Sequence, residues 1–235
     1  MERLDKVLAG TGRWSRREVK LLVRQGQVQV NGVAAMSAEE KIDPETAVIT
    51  VGGESIRLQK FTYVMLHKPA GVLTATEDRR QATVLELLPV ELRRRGLSPV
   101  GRLDKDTEGL LLLTDDGALA HDILSPAHHV EKQYVVTLDT ALTEEMRRGF
   151  AAGVTLADGE TMAPAGAEPL TDDGKTVLVT LRQGVYHQIK RMFGAFDAGV
   201  NALHRESIGG VALDPALAPG QWRELTAEEI ASFGK

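Results

Sequence analysis

Pro99-Val-Gly-Arg-Leu-Asp-Lys-Asp-Thr-Glu-Gly-Leu-Leu-Leu-Leu-Thr-Asp-Asp-Gly117 sets a charged loop, bounded by Gly101 and Gly109, directly before an unbroken apolar run, Leu110 to Leu113. The run ends at Thr114-Asp115-Asp116-Gly117, a strong turn signal. Four consecutive leucines between turn residues fit a strand buried on both faces better than a half-exposed one. Such a strand gives the loop before it a rigid base, and loops on rigid bases are where chemistry tends to sit. Asp104, with Arg102 two residues before it, is therefore the first candidate for a working carboxylate. Spacing alone also fits a solvated turn of surface charges, because structural ion pairs are commoner than functional ones.

A length of 235 residues allows one large domain, or a small one followed by a medium one, and 43% hydrophobic residues suffice for a sizeable core. The absence of cysteine rules out a disulfide framework and a thiolate metal site. Met1-Glu-Arg-Leu-Asp-Lys6 lacks the apolar stretch of a signal peptide, and no run approaches the length of a membrane span. A soluble, cytoplasmic protein without a membrane partner is expected. The net charge of −5 argues at first against nucleic acid, but its distribution matters more. Residues 1–30 hold seven Lys and Arg against three acids, a net of +4, which leaves −9 on the remainder. A basic amino-terminal module on an acidic body suits local grip on a phosphate backbone.

Leu4, Val7 and Leu8 fall at helical spacing, with Gly10 and Gly12 to end the helix. Ser15-Arg16-Arg17-Glu18 reads as a capping box that opens a second helix, with Val19, Leu22 and Val23 facing inward. Alternation from Gln27 leads into Asn31-Gly32, a strong hairpin signal, and a strand follows near residues 47–51. Residues 54–60 carry no hydrophobic period and read as a linker, so domains of residues 1–58 and 59–235 are expected. Two short helices and a small sheet, with Ser15-Arg16-Arg17, Gly26-Gln27-Val28 and Val30-Asn31-Gly32, resemble the S4 RNA-binding domain over roughly residues 2–52. The resemblance makes Arg3, Arg16, Arg17 and Lys20 RNA contacts. A bare charge cluster of this kind is otherwise a solvated helix face.

The second domain opens with a strand, Phe61-Thr-Tyr-Val-Met-Leu66, a turn at His67-Lys68-Pro69-Ala70-Gly71, and a returning strand over residues 72–76. Helices are expected at residues 84–88 and 118–124, with Arg93-Arg94-Arg95 at a solvated helix end. Glu131-Lys-Gln-Tyr-Val-Val-Thr-Leu138 alternates as a strand, Thr143 caps a helix to Phe150, and strands follow near residues 154–156 and 176–181. Gly184-Val-Tyr-His-Gln-Ile-Lys-Arg-Met-Phe193 reads as a strand-to-helix junction that packs Ile189, Met192, Phe193 and Phe196. Residues 203–210 and 217–225 form closing strands, and Thr226-Ala-Glu-Glu229 is a second capping box.

Gly101-Arg102-Leu103-Asp104, then Thr107-Glu-Gly-Leu-Leu-Leu-Leu-Thr-Asp-Asp-Gly117, resemble the signature of the ribosomal pseudouridine synthases. The Lys-Pro-x-Gly turn at 68–71 is similar to a weaker motif of that family, which often has Asn where this chain has His67. The resemblance implies an α+β protein: a small S4-like module, then a catalytic domain on a large, mainly antiparallel mixed sheet. It implies Asp104, Tyr134, Lys190 and Arg102 as catalytic residues, and Ile189, Gln188 and Leu103 as substrate-binding ones. It implies no cofactor and no metal. Pseudouridine formation breaks the bond from C1′ to N1, turns the base, and rejoins it through C5. That chemistry needs an ionised carboxylate as nucleophile or base near one extracted nucleotide. A cation beside the carboxylate favours its charged form, and an aromatic ring gives the loosened base a stacking face.

Ser125-Pro-Ala-His128-His129-Val-Glu-Lys132, Tyr186-His187-Gln188 and Leu203-His-Arg-Glu-Ser-Ile-Gly-Gly210 are most similar to the small-subunit branch, where large-subunit members usually carry Asn-Arg-Gln in place of Tyr186-His187-Gln188. This implies uridine 516 of 16S ribosomal RNA as target, a small-subunit assembly intermediate as partner, and a monomer. The branch usually has Arg before the Tyr, where this chain has Val185, so one phosphate contact is absent or supplied elsewhere. Three alternatives stay open: a large-subunit (23S) target, a non-catalytic S4-type assembly factor, and an enzyme that holds Mg²⁺ on the Asp-x-Asp spacing of Asp104 and Asp106.

Overall fold

In the computed structural model, which describes residues 1–128 and 130–233, the chain separates into two units. One comprises Met1–Thr62 with Leu88–Leu97, the other Tyr63–Leu87 with Ser98–Lys235. His129, quoted above within the small-subunit pattern, lies outside the described residues.

The first unit begins with β1 (Glu2–Arg3) and helices α1 (Leu4–Gly10) and α2 (Arg16–Arg24). Ser15 and Glu18 form the expected reciprocal capping box, which satisfies backbone donors at the start of α2. Strands β2 (Val28–Val30) and β3 (Val33–Ala34) are joined through Asn31 and Gly32. Both linking residues have positive φ, 51° and 81°, the pair of left-handed conformations that lets a two-residue hairpin follow the strands' twist. Then come β4 (Lys41–Ile42), which pairs with β1, then β5 (Ile49–Val51), β6 (Glu54–Ile56) and α3 (Val90–Arg94). The sheet order is β3-β2-β5-β6. β6 occupies part of the stretch read as a linker: two of its three residues are exposed and only Ile56 turns inward, so it shows no apolar period. Leu4, Leu8, Val19, Val28 and Ile49 form the fully buried centre of the unit.

The second unit is built on β7 (Tyr63–Lys68), β8 (Ser98–Pro99), β9 (Glu108–Thr114), β10 (Lys132–Leu138), β11 (Gly166–Pro169), β12 (Thr176–Leu181), β13 (Val200–Ile208), β14 (Val211–Ala212) and β15 (Trp222–Glu224). They form one nine-stranded sheet in the order β11-β12-β10-β13-β9-β7-β15, with β14 on β13 and β8 on β9. Among the described residues, β13 and β9 are the only neighbouring strands that run parallel. This is the mainly antiparallel mixed sheet of an α+β protein. Its helices are α4 (Gly117–Leu124), α5 (Glu144–Ala152), α6 (Gln188–Gly194) and α7 (Ala227–Ser232). Leu110, Leu111, Leu112 and Leu113 are at most 2% exposed, so β9 is buried on both faces as its composition requires. At about 1.5–3 kcal/mol for each fully buried leucine, this strand anchors everything attached to it.

Two expected strands are absent. Residues 72–76 contribute only an isolated bridge, Leu73 to Thr83, and residues 154–156 only Thr155 to Thr161. In the first case Leu73 exchanges backbone hydrogen bonds with Ala82 and Val84, and Thr74 turns its hydroxyl to the Asp104 loop. The helix expected at 84–88 is a single 3₁₀ turn, Val84–Leu87.

Candidate active site

The loop before β9 is held by its backbone. Thr74 Oγ1 donates to the Leu103 carbonyl at 2.7 Å, and the Leu103 N–H donates back to that hydroxyl at 3.2 Å. The Gly71 N–H donates to the Lys105 carbonyl at 2.8 Å. The buried Lys68 ammonium donates to the carbonyls of Pro69 (3.0 Å), Lys105 (3.3 Å) and Thr107 (2.7 Å). Buried carbonyls on both sides of Asp104 are thus satisfied, and the carboxyl group is presented on a fixed backbone.

The Asp104 side chain is 24% exposed, with Oδ1 at 3.3 Å from His187 Nε2 and Oδ2 at 3.7 Å from Lys190 Nζ. Lys190 is closer still to Asp106, 2.8 and 2.7 Å from its two oxygens. The hydrogen bond from Lys190 is the main reason that the Asp106 carboxyl is held below the usual carboxylate range. An ammonium therefore stands between Asp104 and Asp106, where the Asp-x-Asp alternative would seat Mg²⁺. His187 reaches Asp104 from a left-handed backbone, φ 50° and ψ 31°, directly before α6. For a residue other than glycine this conformation costs about 1–3 kcal/mol, and such strain clusters at working sites. Gln188 steadies the turn: its Oε1 accepts from the Val185 N–H at 3.3 Å and its Nε2 donates to Gln183 Oε1 at 3.1 Å.

Across the sheet, Tyr134 on β10 faces Arg205 on β13, Arg205 faces Gly109 on β9, and Gly109 faces Lys68 on β7. Residues directly opposite in neighbouring strands share a face, so these four make one row. Arg205 is 2% exposed. Its Nε donates to the Leu110 carbonyl at 2.7 Å, its Nη1 lies 3.5 Å from the Tyr134 hydroxyl, and its buried Nη2 has no partner. Lys132, two residues before Tyr134, is also buried and donates to the Val130 carbonyl at 2.7 Å.

The RNA pseudouridylate synthase family model matches residues 62–195, and the S4 domain model matches residues 2–48. The chain belongs to the RNA pseudouridylate synthase family. It is therefore an isomerase, carrying an S4 domain ahead of its synthase domain. An uncharacterized RNA pseudouridine synthase of Bacillus subtilis is 50% identical, with 97% of this chain and 96% of the relative covered. Proteins named ribosomal small subunit pseudouridine synthase A are 41% identical in Vibrio cholerae, covering 99% of this chain and 100% of that one, and 42% identical in Escherichia coli, covering 98% and 99%. A crystal structure described as a pseudouridylate synthase has 38% identity and a TM-score of 0.70, covering 99% of this chain and 100% of that one.

In this synthase, Asp104 and Lys190 meet, while Arg102 is exposed and no hydrogen bond or ion pair joins it to either. Tyr134 is buried to 8% exposure and contacts Arg205; no hydrogen bond joins it to Asp104. Leu103, Gln188 and Ile189 are also buried, and the Gln188 amide is engaged within its own turn. On the S4 domain, Arg16 and Arg17 are exposed on α2. Lys20 lies 3.5 Å from Glu39, and Arg3 is engaged by Asp5 at 2.8 Å and Glu39 at 3.0 Å. Sequence reasoning missed His187 and Arg205. The left-handed backbone of His187 has only a weak signal in its residue type, since histidine adopts that region more readily than most residues. A charged residue inside a strand, as Arg205 is, was the available hint.

Burial pulls the Lys68 ammonium down to about 8 from 10.5, against the carboxylates of Asp106, Glu108 and Asp104 and with Arg205 adding to the fall. Between those two values the unfolded chain holds a proton that the folded chain has released, so stability rises with pH. The cost of burying the ammonium is present in full below about 8 and gone above 10.5. The rise is on the order of 3 kcal/mol. Urea unfolding at several pH values from 7.5 upward is expected to show a slope that Lys68→Met, itself less stable, flattens. An unchanged slope in the variant would assign the rise to other groups.

Proposed function

We propose that this synthase converts one uridine of 16S ribosomal RNA, uridine 516, to pseudouridine. It acts as a monomer in the cytoplasm on a small-subunit assembly intermediate. The observation that carries the reading is the partly exposed carboxylate of Asp104 on its pinned loop, with Lys190 at 3.7 Å. The full-length similarity to proteins named for the small subunit supports the choice of RNA.

The S4-like module of residues 1–58 grips phosphates through Arg16, Arg17 and Lys20, with Arg3 holding the module's first turn through Asp5. Residues 59–235 carry the reaction. The target base leaves its stack at a cost of a few kcal/mol. The Asp104 carboxylate acts as nucleophile or base on the sugar–base unit, the C1′–N1 bond breaks, and the base turns. The C1′–C5 bond forms, the proton on C5 is lost, and N1 gains one. Lys190 is the cation beside the carboxylate, Tyr134 offers a ring to the detached base, and Arg102 binds phosphate or fills the vacated stack. Leu103 and Ile189 form the apolar wall beneath, and Gln188 fixes the turn that bears His187.

Carbodiimide modification and primer extension on ribosomal RNA from a strain lacking the protein tests the reading. The stop at position 516 of 16S RNA is expected to vanish, and to return when the intact gene is restored. Loss of a stop in 23S RNA instead would transfer the target to the large subunit. Ribosomal RNA with every pseudouridine intact would refute the ribosomal assignment.

A further inference from the structure

Tyr186 is the only Phe, Trp or Tyr side chain among the described residues that stands largely in solvent, at 73% exposure. Its ring lies flat on the imidazole of His187, with centroids 3.8 Å and planes 17° apart. That imidazole is the group 3.3 Å from Asp104. An exposed phenol ring is thus joined to the reactive carboxylate through a single side chain.

The stack is held from below. Gln188 closes the turn on Val185, and the Tyr186 carbonyl accepts from Arg191 Nη1 at 3.5 Å. Arg191 is itself fixed by Asp158 at 2.8 Å and Glu160 at 2.6 Å. Loop rings that are merely unpacked lack such support.

The geometry points to Tyr186, seated on His187, as the stacking platform for the nucleotide next to the target uridine. This deepens the function proposed above and rests on it. When one nucleotide is turned out of an RNA strand, its neighbour loses a stacking partner. An aromatic face restores that partner whatever the neighbour's identity, because every base has a π-face. The ammonium of Lys190 stands 3.7 Å from Asp104, and the exposed Arg102 lies two residues before it in the chain, positive charge suited to the phosphates of the strand. Tyr134 is buried at 8% exposure and is given to the target base itself, so the two rings serve different nucleotides.

The test measures tritium released from C5-labelled uridine in small-subunit particles reconstituted on a 16S transcript. Wild type is compared with Tyr186→Ala, Tyr186→Leu, Tyr186→Phe and Tyr186→Trp, with thermal melts to establish that each is folded. Tyr186→Ala and Tyr186→Leu are expected to raise KM on the order of 10-fold, the loss falling on KM more than on kcat. Tyr186→Phe and Tyr186→Trp keep KM within about threefold of wild type, because the π-face remains. A leucine variant as effective as phenylalanine, or an alanine variant with unchanged KM, overturns the platform while leaving the enzyme's function standing. A wild-type protein that releases no tritium overturns the function and the platform together.

Discussion

Replacing Asp104 with asparagine is expected to lower pseudouridine formation by at least about 1,000-fold, with the fold and RNA affinity retained. Asparagine has the same shape, and the loop is held through its backbone by Thr74 and Lys68, so the loop keeps its geometry. It cannot be ionised, and so supplies neither the nucleophile nor the base that the C1′–N1 cleavage requires. The variant is clean because of Asp106. With Asp104 neutral, Lys190 keeps both oxygens of Asp106 within 2.8 Å, so no cation is left unpaired. The phosphate contacts assigned to Arg16 and Arg17 lie on the S4 domain and are untouched. Single-turnover tritium release gives the rate, and filter binding gives the affinity. Undiminished turnover would remove Asp104 from the chemistry. Loss of RNA binding in step with activity would make Asp104 a binding residue instead.

What could be read from the chain follows the range of the forces involved. Asp104 and its loop were legible because the signature is contiguous and the buried strand behind it announces itself in four leucines. The caps at Ser15 and Thr226 and the Asn31-Gly32 turn were legible for the same reason: each is satisfied within a few residues. Elements whose cause lies elsewhere were not. The stretch at 72–76 has strand composition, but Thr74 is used by the Leu103 backbone and not by a ladder. β6 forms because β5 offers an edge, and its own residues give no sign of it. Family resemblance implies the pairing of Asp104 with Lys190, but nothing in the sequence signals the closer contact of Lys190 with Asp106, which depends on how two distant segments meet.

The same distinction applies to charge. A net charge of −5 hides three buried cations, Lys68, Lys132 and Arg205, that hydrogen-bond to carbonyls and not to carboxylates. Without buried counter-ions their charge is incompletely compensated, and burial accordingly lowers the affinity of both lysines for their protons. Their positive charge suits a polyanionic substrate, and the register that sets Arg205 in line with Lys68 across the sheet passes through one residue that has no side chain.

That residue is Gly109, and Gly109→Ala is expected to produce the largest loss of stability of any single methyl addition in the synthase domain. Its φ of +103° is a conformation that L side chains rarely adopt. A Cβ there would lie 2.3 Å from the Arg205 carbonyl oxygen, 2.5 Å from its nitrogen and 2.9 Å from its carbonyl carbon. These are backbone atoms, so no rotamer change relieves the overlap. They also belong to β13 where it pairs with β9, in the sheet's only parallel ladder among the described residues. Backbone strain contributes about 1–3 kcal/mol and overpacking a similar amount, which together lower the melting temperature by roughly 10 °C. Displacing β13 also moves Arg205 away from Tyr134, so residual folded protein should isomerise RNA poorly. Gly184→Ala, with no atom within 4 Å of the added methyl, is the control and should melt within about 2 °C of wild type. Calorimetry on the two variants decides it: equal melting temperatures would mean that β9 and β13 can separate without cost, and that the row across them does not hold the site together.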